Sequence, residues 1–262
     1  MQTDVHNGTS VFWRVKLESI LQDDETIEDL QLNGFKLIQK QNGFRFGMDS
    51  VLLADFASIK EKDTVADFGT GSGILPILLR GRNKGSKYYA IELQKDFAEL
   101  AQRNMKLNHL CETVNVIHAD VKDVSLYIAP CSIDAVICNP PYGHPSATLM
   151  SPVSEKAIAR SQNVHTIDHI LKSAFQILKG KGKIFMIYPV EQMLYMMKKM
   201  QDHHLEPKHF RLVYPNEQKK ANLVLLEAVK DAKPTLQPLP PLIIYQKDGS
   251  LTNELKSVYH IL

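Results

Sequence analysis

From residue 64 onwards, short apolar runs alternate with amphipathic segments whose apolar positions recur every three or four residues. Runs of the first kind predict buried strands, and segments of the second kind predict helices that pack on one side. The predicted strands are Thr64–Phe68, Lys87–Glu92, Val114–Asp120, Ile133–Cys138, Lys183–Tyr188, His209–Tyr214 and Asn222–Val229. The predicted helices are Ile74–Arg82, Asp96–Asn108, Asp168–Leu178 and Val190–His203. This alternation predicts an α/β, Rossmann-like fold with a seven-stranded, mostly parallel sheet and helices on both faces.

The last two predicted strands differ from the others because no helical segment separates them. Parallel neighbours need a long crossover connection, so this pair is expected to form an antiparallel C-terminal hairpin. In an open sheet of this kind, ligands bind at the carboxyl ends of the strands, beside the point where the strand order reverses. The candidate functional motifs of this chain all follow predicted strands.

The segments before residue 64 are less regular. Residues 1–30 are expected to be a peripheral N-terminal segment, with a short helix over Val11–Leu21. The turn Gln41-Asn42-Gly43 predicts a strand pair made of Leu37–Lys40 and Phe44–Phe46.

A helix and a tail complete the expected organisation. Asp49-Ser50 predicts the cap of a helix over Val51–Ala57. The principal domain is expected to span residues 31–230. Residues 231–262 contain four prolines, which predicts an extended C-terminal tail packed on the domain surface.

Composition narrows the class of protein. The chain has 262 residues, of which 44% are hydrophobic and 23% charged, as in ordinary globular proteins. No apolar run reaches the ~20 residues that cross a bilayer, and the N-terminus lacks a secretory pattern, so a cytoplasmic protein without a membrane partner is expected. Cys111, Cys131 and Cys138 have no metal-ligand spacing, so free thiols and no metal site are predicted. The net charge of +2 neither requires nor excludes nucleic acid.

A glycine-rich turn, Asp67-Phe68-Gly69-Thr70-Gly71-Ser72-Gly73, follows the first regular strand. Such a turn lets the backbone approach a ligand, and both nicotinamide dinucleotides and S-adenosylmethionine use one. The alternating glycines lack the two-residue gap of the dinucleotide fingerprint. Acidic residues close three strands, at Asp67, Glu92 and Asp120. Carboxylates suit an ammonium and a sulfonium and repel a pyrophosphate, so S-adenosylmethionine is the predicted cofactor.

A second turn, Asn139-Pro140-Pro141-Tyr142, follows the fourth regular strand. The Asn139 side-chain oxygen and the Pro140 carbonyl can each accept a hydrogen bond from one N–H of an amino group. Holding both hydrogens out of plane directs the nitrogen lone pair at an activated methyl group. The prolines stiffen the turn, and Tyr142 offers a face on which a planar base can stack. All four residues are therefore the predicted catalytic residues of an amino-methyltransferase.

These motifs resemble those of class I amino-methyltransferases with an Asn-Pro-Pro-Tyr turn, and in particular the bacterial tRNA adenine-N6 methyltransferase family. The similar segments are Phe44–Ala54, both turns, Leu205–Lys208, Asn222–Glu227 and Leu239–Leu242. The resemblance implies N6-methylation of the adenine just 3′ of the anticodon in valine tRNA.

The resemblance also implies roles for individual residues. Asp49 is expected to close over the methionine end of the cofactor. The other implied or neighbouring cofactor residues are Asp67, Gly69, Thr70, Gly71, Gly73, Glu92, Leu93, Asp120, Val121 and Asn139. Tyr142 and Arg160 are expected to contact the substrate. Relatives usually have Ala-Arg-His-Glu where this chain has Ala159-Arg160-Ser161-Gln162, a departure that bears on the acceptor.

The expected partner is tRNA. Groups of basic residues could follow an RNA backbone or be solvated surface; they are Arg80, Arg82, Lys84, Lys87, Lys179, Lys181, Lys183, Lys198, Lys199, Lys208, His209, Arg211, Lys219 and Lys220. Two alternatives stay open. One is N5-methylation of a protein glutamine, although too few residues precede Asp67 for that family's helical recognition domain. The other is a non-catalytic module that binds the cofactor or RNA.

Overall fold

A computed structural model describes residues 21–41, 47–140 and 166–260 of the chain. The strands are β1 (Glu25–Asp29), β2 (Lys36–Lys40), β3 (Thr64–Phe68), β4 (Lys87–Glu92), β5 (Val114–His118), β6 (Ile133–Cys138), β7 (Leu178–Pro189), β8 (Leu205–Tyr214), β9 (Leu223–Lys230), β10 (Gln237–Pro238) and β11 (Leu242–Ile243). The helices are α1 (Met48–Phe56), α2 (Ile74–Gly81), α3 (Lys95–Leu107), α4 (166–177), α5 (Met193–Asp202) and α6 (Asn253–Val258). Short 3-10 helices cover Val121–Leu126 and Val190–Gln192.

Nine of the described strands form one sheet in the order β10-β8-β9-β7-β6-β3-β4-β5, with β11 also paired to β8. Neighbours from β5 to β7 are parallel, whereas β9 is antiparallel to both β7 and β8. The seven predicted strands form the body of this sheet, so the predicted fold class and the antiparallel hairpin are confirmed. The strand order reverses at β3, which lies between β4 and β6.

The sheet is buried on both faces because its strands are apolar at consecutive positions. In β3, Val65 packs with α1, α2 and α6 on one face, while Ala66 packs with α4 and α5 on the other, and both are 0% exposed. Leu53 of α1 and Met196 of α5 are buried on these two faces, respectively. The predicted placement of helices on both faces is therefore confirmed.

Strand β2 has a partner that the sequence pattern does not predict. β2 pairs antiparallel with β1, from Glu25 opposite Lys40 to Asp29 opposite Lys36. The predicted partner, residues 44–46, lies outside the described residues, so that pairing stays a prediction. The chain reverses at Asn33 and Gly34, whose φ angles are 51° and 73°, so the partner of β2 precedes it. The predicted helix over residues 11–21 also lies outside the described residues, apart from its last residue.

Helix α1 begins earlier than the sequence predicts. Gly47 is its N-cap residue, and no side chain caps the helix, so the predicted cap at Asp49-Ser50 is wrong. Both residues lie in the first turn, and the Ser50 hydroxyl faces Asn139 instead of the helix end. This contact joins α1 to the carboxyl end of β6.

The residues between the predicted helix Asp168–Leu178 and the predicted strand Lys183–Tyr188 form a bulge inside β7. The register shifts between Ile133 opposite Leu178 and Ala135 opposite Lys183, so extra residues of β7 loop out there. Lys181 has a φ of 65°, which allows the strand to resume its direction.

The C-terminal tail contains more secondary structure than the predicted extended segment. β10 and β11 both pair parallel with β8, which adds two strands to the seven predicted, and α6 then packs near α1. The domain boundaries at residues 30 and 230 remain predictions, although β1 and the tail both pack on the body of the fold. No helix within 21–41, 47–140 or 166–260 combines the length and apolar character of a membrane span.

Candidate active site

The ends of four parallel strands bring the predicted motifs to one edge of the sheet. Phe68, at the end of β3, lies opposite Ile91 of β4 on one side and Cys138 of β6 on the other. Glu92 ends β4 and lies opposite His118, the last residue of β5. The glycine-rich turn, the acidic residues and the Asn-Pro corner therefore share the edge at which the strand order reverses.

The glycine-rich turn uses left-handed backbone at each of its glycines. The φ angles are 74° at Gly69, 57° at Gly71 and 83° at Gly73. The N–H groups of Gly69 and Thr70 both donate to the Ile91 carbonyl at 2.9 Å, which fixes the turn to β4. A Cβ atom at Gly69 or Gly71 would meet nothing within 4 Å, so this face of the turn borders open space. The predicted close approach of backbone and ligand is sterically possible here.

Asp67 is buried below the turn without a hydrogen-bond partner. The side chain is 1% exposed, and neither carboxylate oxygen has a partner among the described residues. Burial, partly offset by the neighbouring Thr70 side chain and reinforced by the negative charge of Glu92, raises the pKa of Asp67 to about 7. A carboxylate in this position is stabilised by a positively charged group, so the residue fits the ammonium of S-adenosylmethionine.

Glu92 ties the turn to the end of β4. One oxygen, Oε2, accepts a hydrogen bond from the Gly71 N–H at 2.9 Å, and Oε1 accepts one from the Gln94 N–H at 2.8 Å. Each carboxylate oxygen has a second lone pair, so Glu92 can still accept hydrogen bonds from the ribose hydroxyls of a cofactor. The neighbouring Leu93 is 63% exposed and offers an apolar surface beside this carboxylate.

Asp120 caps the 3-10 helix that follows β5. Its Oδ1 accepts a hydrogen bond from the Lys122 N–H at 3.1 Å, and Oδ2 lies 3.1 Å from Lys122 Nζ. Partial burial acts to raise the pKa of Asp120, but these Lys122 contacts outweigh it, so the pKa is lowered. Val121 is half-buried beside it. The structure places both residues at the predicted edge, and their contacts with the cofactor remain predictions.

The Asn-Pro corner follows β6 and contacts α1. Asn139 is half-buried and Pro140 is buried. Asn139 Nδ2 donates to Ser50 Oγ at 3.4 Å, and Ser50 is 3% exposed. Asp49 is half-buried next to Ser50 in the same helical turn. The helical turn that contains Asp49, which is predicted to close over the cofactor, therefore contacts the predicted catalytic residue Asn139.

Three predicted site residues cannot be placed. Pro141, Tyr142 and Arg160 lie outside the described residues, as do Ser161 and Gln162. Their roles stay predictions. Among the residues that the structure describes, no three His, Cys, Asp or Glu side chains form a group that could hold a metal ion.

Sequence reasoning missed one buried residue of this region. Asn104 of α3 is 0% exposed, and its Nδ2 donates to the Ser72 carbonyl within the glycine-rich turn at 2.9 Å. The signal was present in the sequence, because Asn104 and Asn108 put two amides on one helix face at a spacing of four. A buried amide on such a face indicates backbone groups that need partners.

Residues 47–209 match the family model described as the methyltransferase small domain. This chain belongs to that family. The predictions of a methyltransferase and of S-adenosylmethionine as methyl donor are thereby confirmed, and the buried, unpartnered Asp67 carboxylate fits that donor.

Related proteins were found both by sequence and by structure. The chain is 27% identical over 219 residues to a tRNA1(Val) (adenine(37)-N6)-methyltransferase of Aliivibrio salmonicida, a match that covers 83% of this chain and 90% of that one. A protein of the same name from Dyadobacter fermentans is 24% identical, with 82% and 88% covered. The crystal structure of a predicted O-methyltransferase from Agrobacterium tumefaciens superimposes with a TM-score of 0.65 at 21% identity, covering 81% of this chain and 96% of that one. This last likeness concerns the fold.

Proposed function

We propose that this methyltransferase transfers a methyl group from S-adenosylmethionine to N6 of an adenine in tRNA. The proposal extends to the position given in the relatives' names, adenine 37 of a valine tRNA, and to the cytoplasm as the place of action. The observation that carries it is the Asn139–Pro140 corner beside the glycine-rich turn, since an amino group needs two acceptors at this place. The named relatives support the choice of adenine in tRNA.

The corner supplies these acceptors without a general base. Asn139 Nδ2 donates to Ser50 Oγ, and Oδ1 is the atom of this amide that would accept a hydrogen bond from the substrate. Oδ1 and the Pro140 carbonyl each accept one N–H of the amine and hold its lone pair out of the ring plane. Catalysis is then alignment by rigid, preorganised dipoles.

The remaining residues hold the methyl donor. Asp67 would neutralise its ammonium, and Glu92 would accept hydrogen bonds from its ribose hydroxyls. Leu93 and Val121 would border its adenine. Asp120 would accept a hydrogen bond from the amino group of that adenine. The donor supplies an electrophilic methyl group. The chain's own contribution is to fix the donor on the turn and to present the amine opposite it.

Methylation of a protein glutamine is the competing function, because an amide also has two N–H groups. Isotope-labelled methyl transfer, run in parallel with total tRNA and with a release-factor protein, separates the two. Label in tRNA, recovered as N6-methyladenosine by mass spectrometry of nucleosides, supports the proposal. Label in the protein alone would overturn it, and label in neither would favour a binding module.

A further inference from the structure

Four of the lysines considered as RNA contacts differ in their partners. Towards the amino edge, Lys179 Nζ lies 2.6 Å from Asp134 and Lys183 Nζ lies 3.0 Å from Glu227. At the carboxyl edge, the β8–β9 loop carries Lys219 and Lys220, which are both exposed. Neither of these two ammonium groups forms an ion pair with another described residue. Of these four lysines, only Lys219 and Lys220 lie at the edge of the candidate site without an ion pair to a described residue.

The β8–β9 loop lies on the same edge as the Asn-Pro corner. Cys138, which precedes Asn139, is opposite Met186 of β7, and β7 continues beyond it to Pro189 opposite Leu223 of β9. The Val190 N–H donates to the Asn222 carbonyl at 3.0 Å, which joins the loop to the chain that follows β7. Since neighbouring strands are about 4.8 Å apart, the loop lies roughly 10 to 15 Å from the corner.

Two exposed side chains follow the end of β7, the strand that lies between β6 and β9 in the sheet. Leu194 and Tyr195, at the start of α5, are 80% and 37% exposed. Tyr188, near the end of β7, is a neighbour of both Tyr195 and Cys138, which add to the effect of burial in raising its pKa. The Lys199 ammonium lies 5.9 Å from the Tyr195 ring centroid and also forms an ion pair with Asp168. These contacts help to hold the Tyr195 ring in its orientation.

The loop is ordered by its own side chains. Asn216 Oδ1 accepts hydrogen bonds from the N–H groups of Gln218 and Lys219, both at 3.0 Å. Glu217, the acidic residue of the loop, lines a cleft with Tyr245 and Lys247 of the C-terminal tail. Because Asn216 already orders the backbone of the loop, less conformational entropy is lost when Lys219 and Lys220 bind a partner.

We propose that Leu194, Tyr195, Lys219 and Lys220 form a docking surface for the single-stranded RNA that flanks the target adenine. The proposal rests on the proposed function and names the part of the protein that selects RNA. Bases stack on the Tyr195 ring and against Leu194. Phosphates contact the two lysines, whose charge is not neutralised by a described carboxylate.

The test compares a Lys219→Ala/Lys220→Ala double variant with wild-type protein. KM for tRNA is expected to rise about tenfold at physiological salt, and the dependence of log kcat/KM on log salt to become shallower by roughly 1 to 2. Tyr195→Ala is expected to raise KM about tenfold with an unchanged salt slope, because stacking is not ionic. The Kd for S-adenosylmethionine stays at the wild-type value in both.

A matched control removes two positive charges elsewhere. Lys60 and Lys62 are exposed in the loop that precedes β3, at the opposite edge, and Lys60→Ala/Lys62→Ala is expected to leave KM unchanged. Equal losses in the two double variants, or no loss in Lys219→Ala/Lys220→Ala, would overturn the docking surface. Absence of tRNA methylation by the wild-type protein would instead overturn the proposed function. A loss confined to a protein substrate would assign this surface to a protein partner and contradict the inference.

Discussion

Asn104 and Ile38 form a reciprocal pair in which a side-chain amide takes the place of a neighbouring strand. Asn104 Nδ2 donates to the Ile38 carbonyl at 2.9 Å, and the Ile38 N–H donates to Asn104 Oδ1 at 2.7 Å. The same Nδ2 also donates to the Ser72 carbonyl at 2.9 Å. One buried amide thus joins β2, which leads towards the closing segment at Asp49, to the glycine-rich turn.

Asn104→Ala should weaken cofactor binding as well as stability. The substitution leaves buried backbone groups of Ile38 and Ser72 without partners, at about 1 to 3 kcal/mol for each. We expect a Kd for S-adenosylmethionine at least about fivefold higher by calorimetry, because the turn loses its support. Asn108→Ala is the control: Asn108 holds Lys36 in the same way, with bonds of 2.8 and 2.7 Å, but does not touch the turn. Equal changes in Kd would show that both asparagines support only the fold.

Cofactor binding should strengthen as the pH rises towards neutrality. Without the cofactor, Asp67 has a pKa of about 7, and the ammonium of the donor favours its ionised form. Below pH 7 binding must therefore release a proton, and Kd should be about fivefold higher at pH 6 than at pH 7. Calorimetry across this range measures the effect. In Asp67→Asn the dependence should disappear, and an identical profile in both proteins would contradict the assignment.

The same carboxylate should destabilise the protein in the absence of cofactor. Because its pKa rises from 3.8 to about 7 on folding, the stability contribution of Asp67 is fully present below pH 3.8 and is lost as the pH rises to 7. Asp67→Asn should therefore melt at a higher temperature than wild type at pH 8. Saturating S-adenosylmethionine should reverse the order, since only the wild type binds it tightly. A lower melting temperature for the cofactor-free variant would argue against an unpartnered buried charge.

Alanine substitutions at two glycines of the turn should distinguish effects on the stability of the protein from effects on cofactor binding. A Cβ at Gly73 would lie 2.6 Å from Met105 Cε and 3.4 Å from Ala101 Cβ, at a φ of 83°. Gly73→Ala should therefore reduce the free energy of unfolding by about 1 to 2 kcal/mol through backbone strain, with a small addition because the flexible end of Met105 must shift. Gly69→Ala meets no neighbour within 4 Å and should show only the backbone strain of about 1 to 2 kcal/mol, together with a loss of cofactor binding. Denaturant titration and calorimetry test both, and unchanged binding in Gly69→Ala would place the cofactor elsewhere.

Asn139→Ala should abolish methyl transfer and leave cofactor binding within a few-fold of wild type. The reason is that Asn139 aligns the acceptor amine, while most predicted cofactor contacts belong to other residues. Single-turnover transfer and calorimetry on the same sample measure the two effects. Asp67→Ala is the comparison, since this substitution should chiefly weaken cofactor binding. A similar loss of binding in both variants would contradict this division of roles.

The sequence by itself determined the type of sheet and the polar residues that follow its strands at the candidate site. Apolar runs of strand length separated by amphipathic segments admit few arrangements other than a doubly covered parallel sheet, because each element must bury its apolar side. Parallel strands also send their carboxyl ends to one edge, so the order of the strands predicts that Asp67, Glu92, Asp120 and Asn139 lie together. These features follow from local periodicity and from order along the chain.

Only the tertiary structure decided contacts between residues distant in sequence. The pairing of β2 with β1, the Ser50–Asn139 contact and the Asn104 bridge join segments whose own patterns carry no information about each other. The same holds for the lysines, which look alike in sequence. Asp134 and Glu227 neutralise two of them, whereas Lys219 and Lys220 form no ion pair with a described carboxylate, and only packing sets this difference.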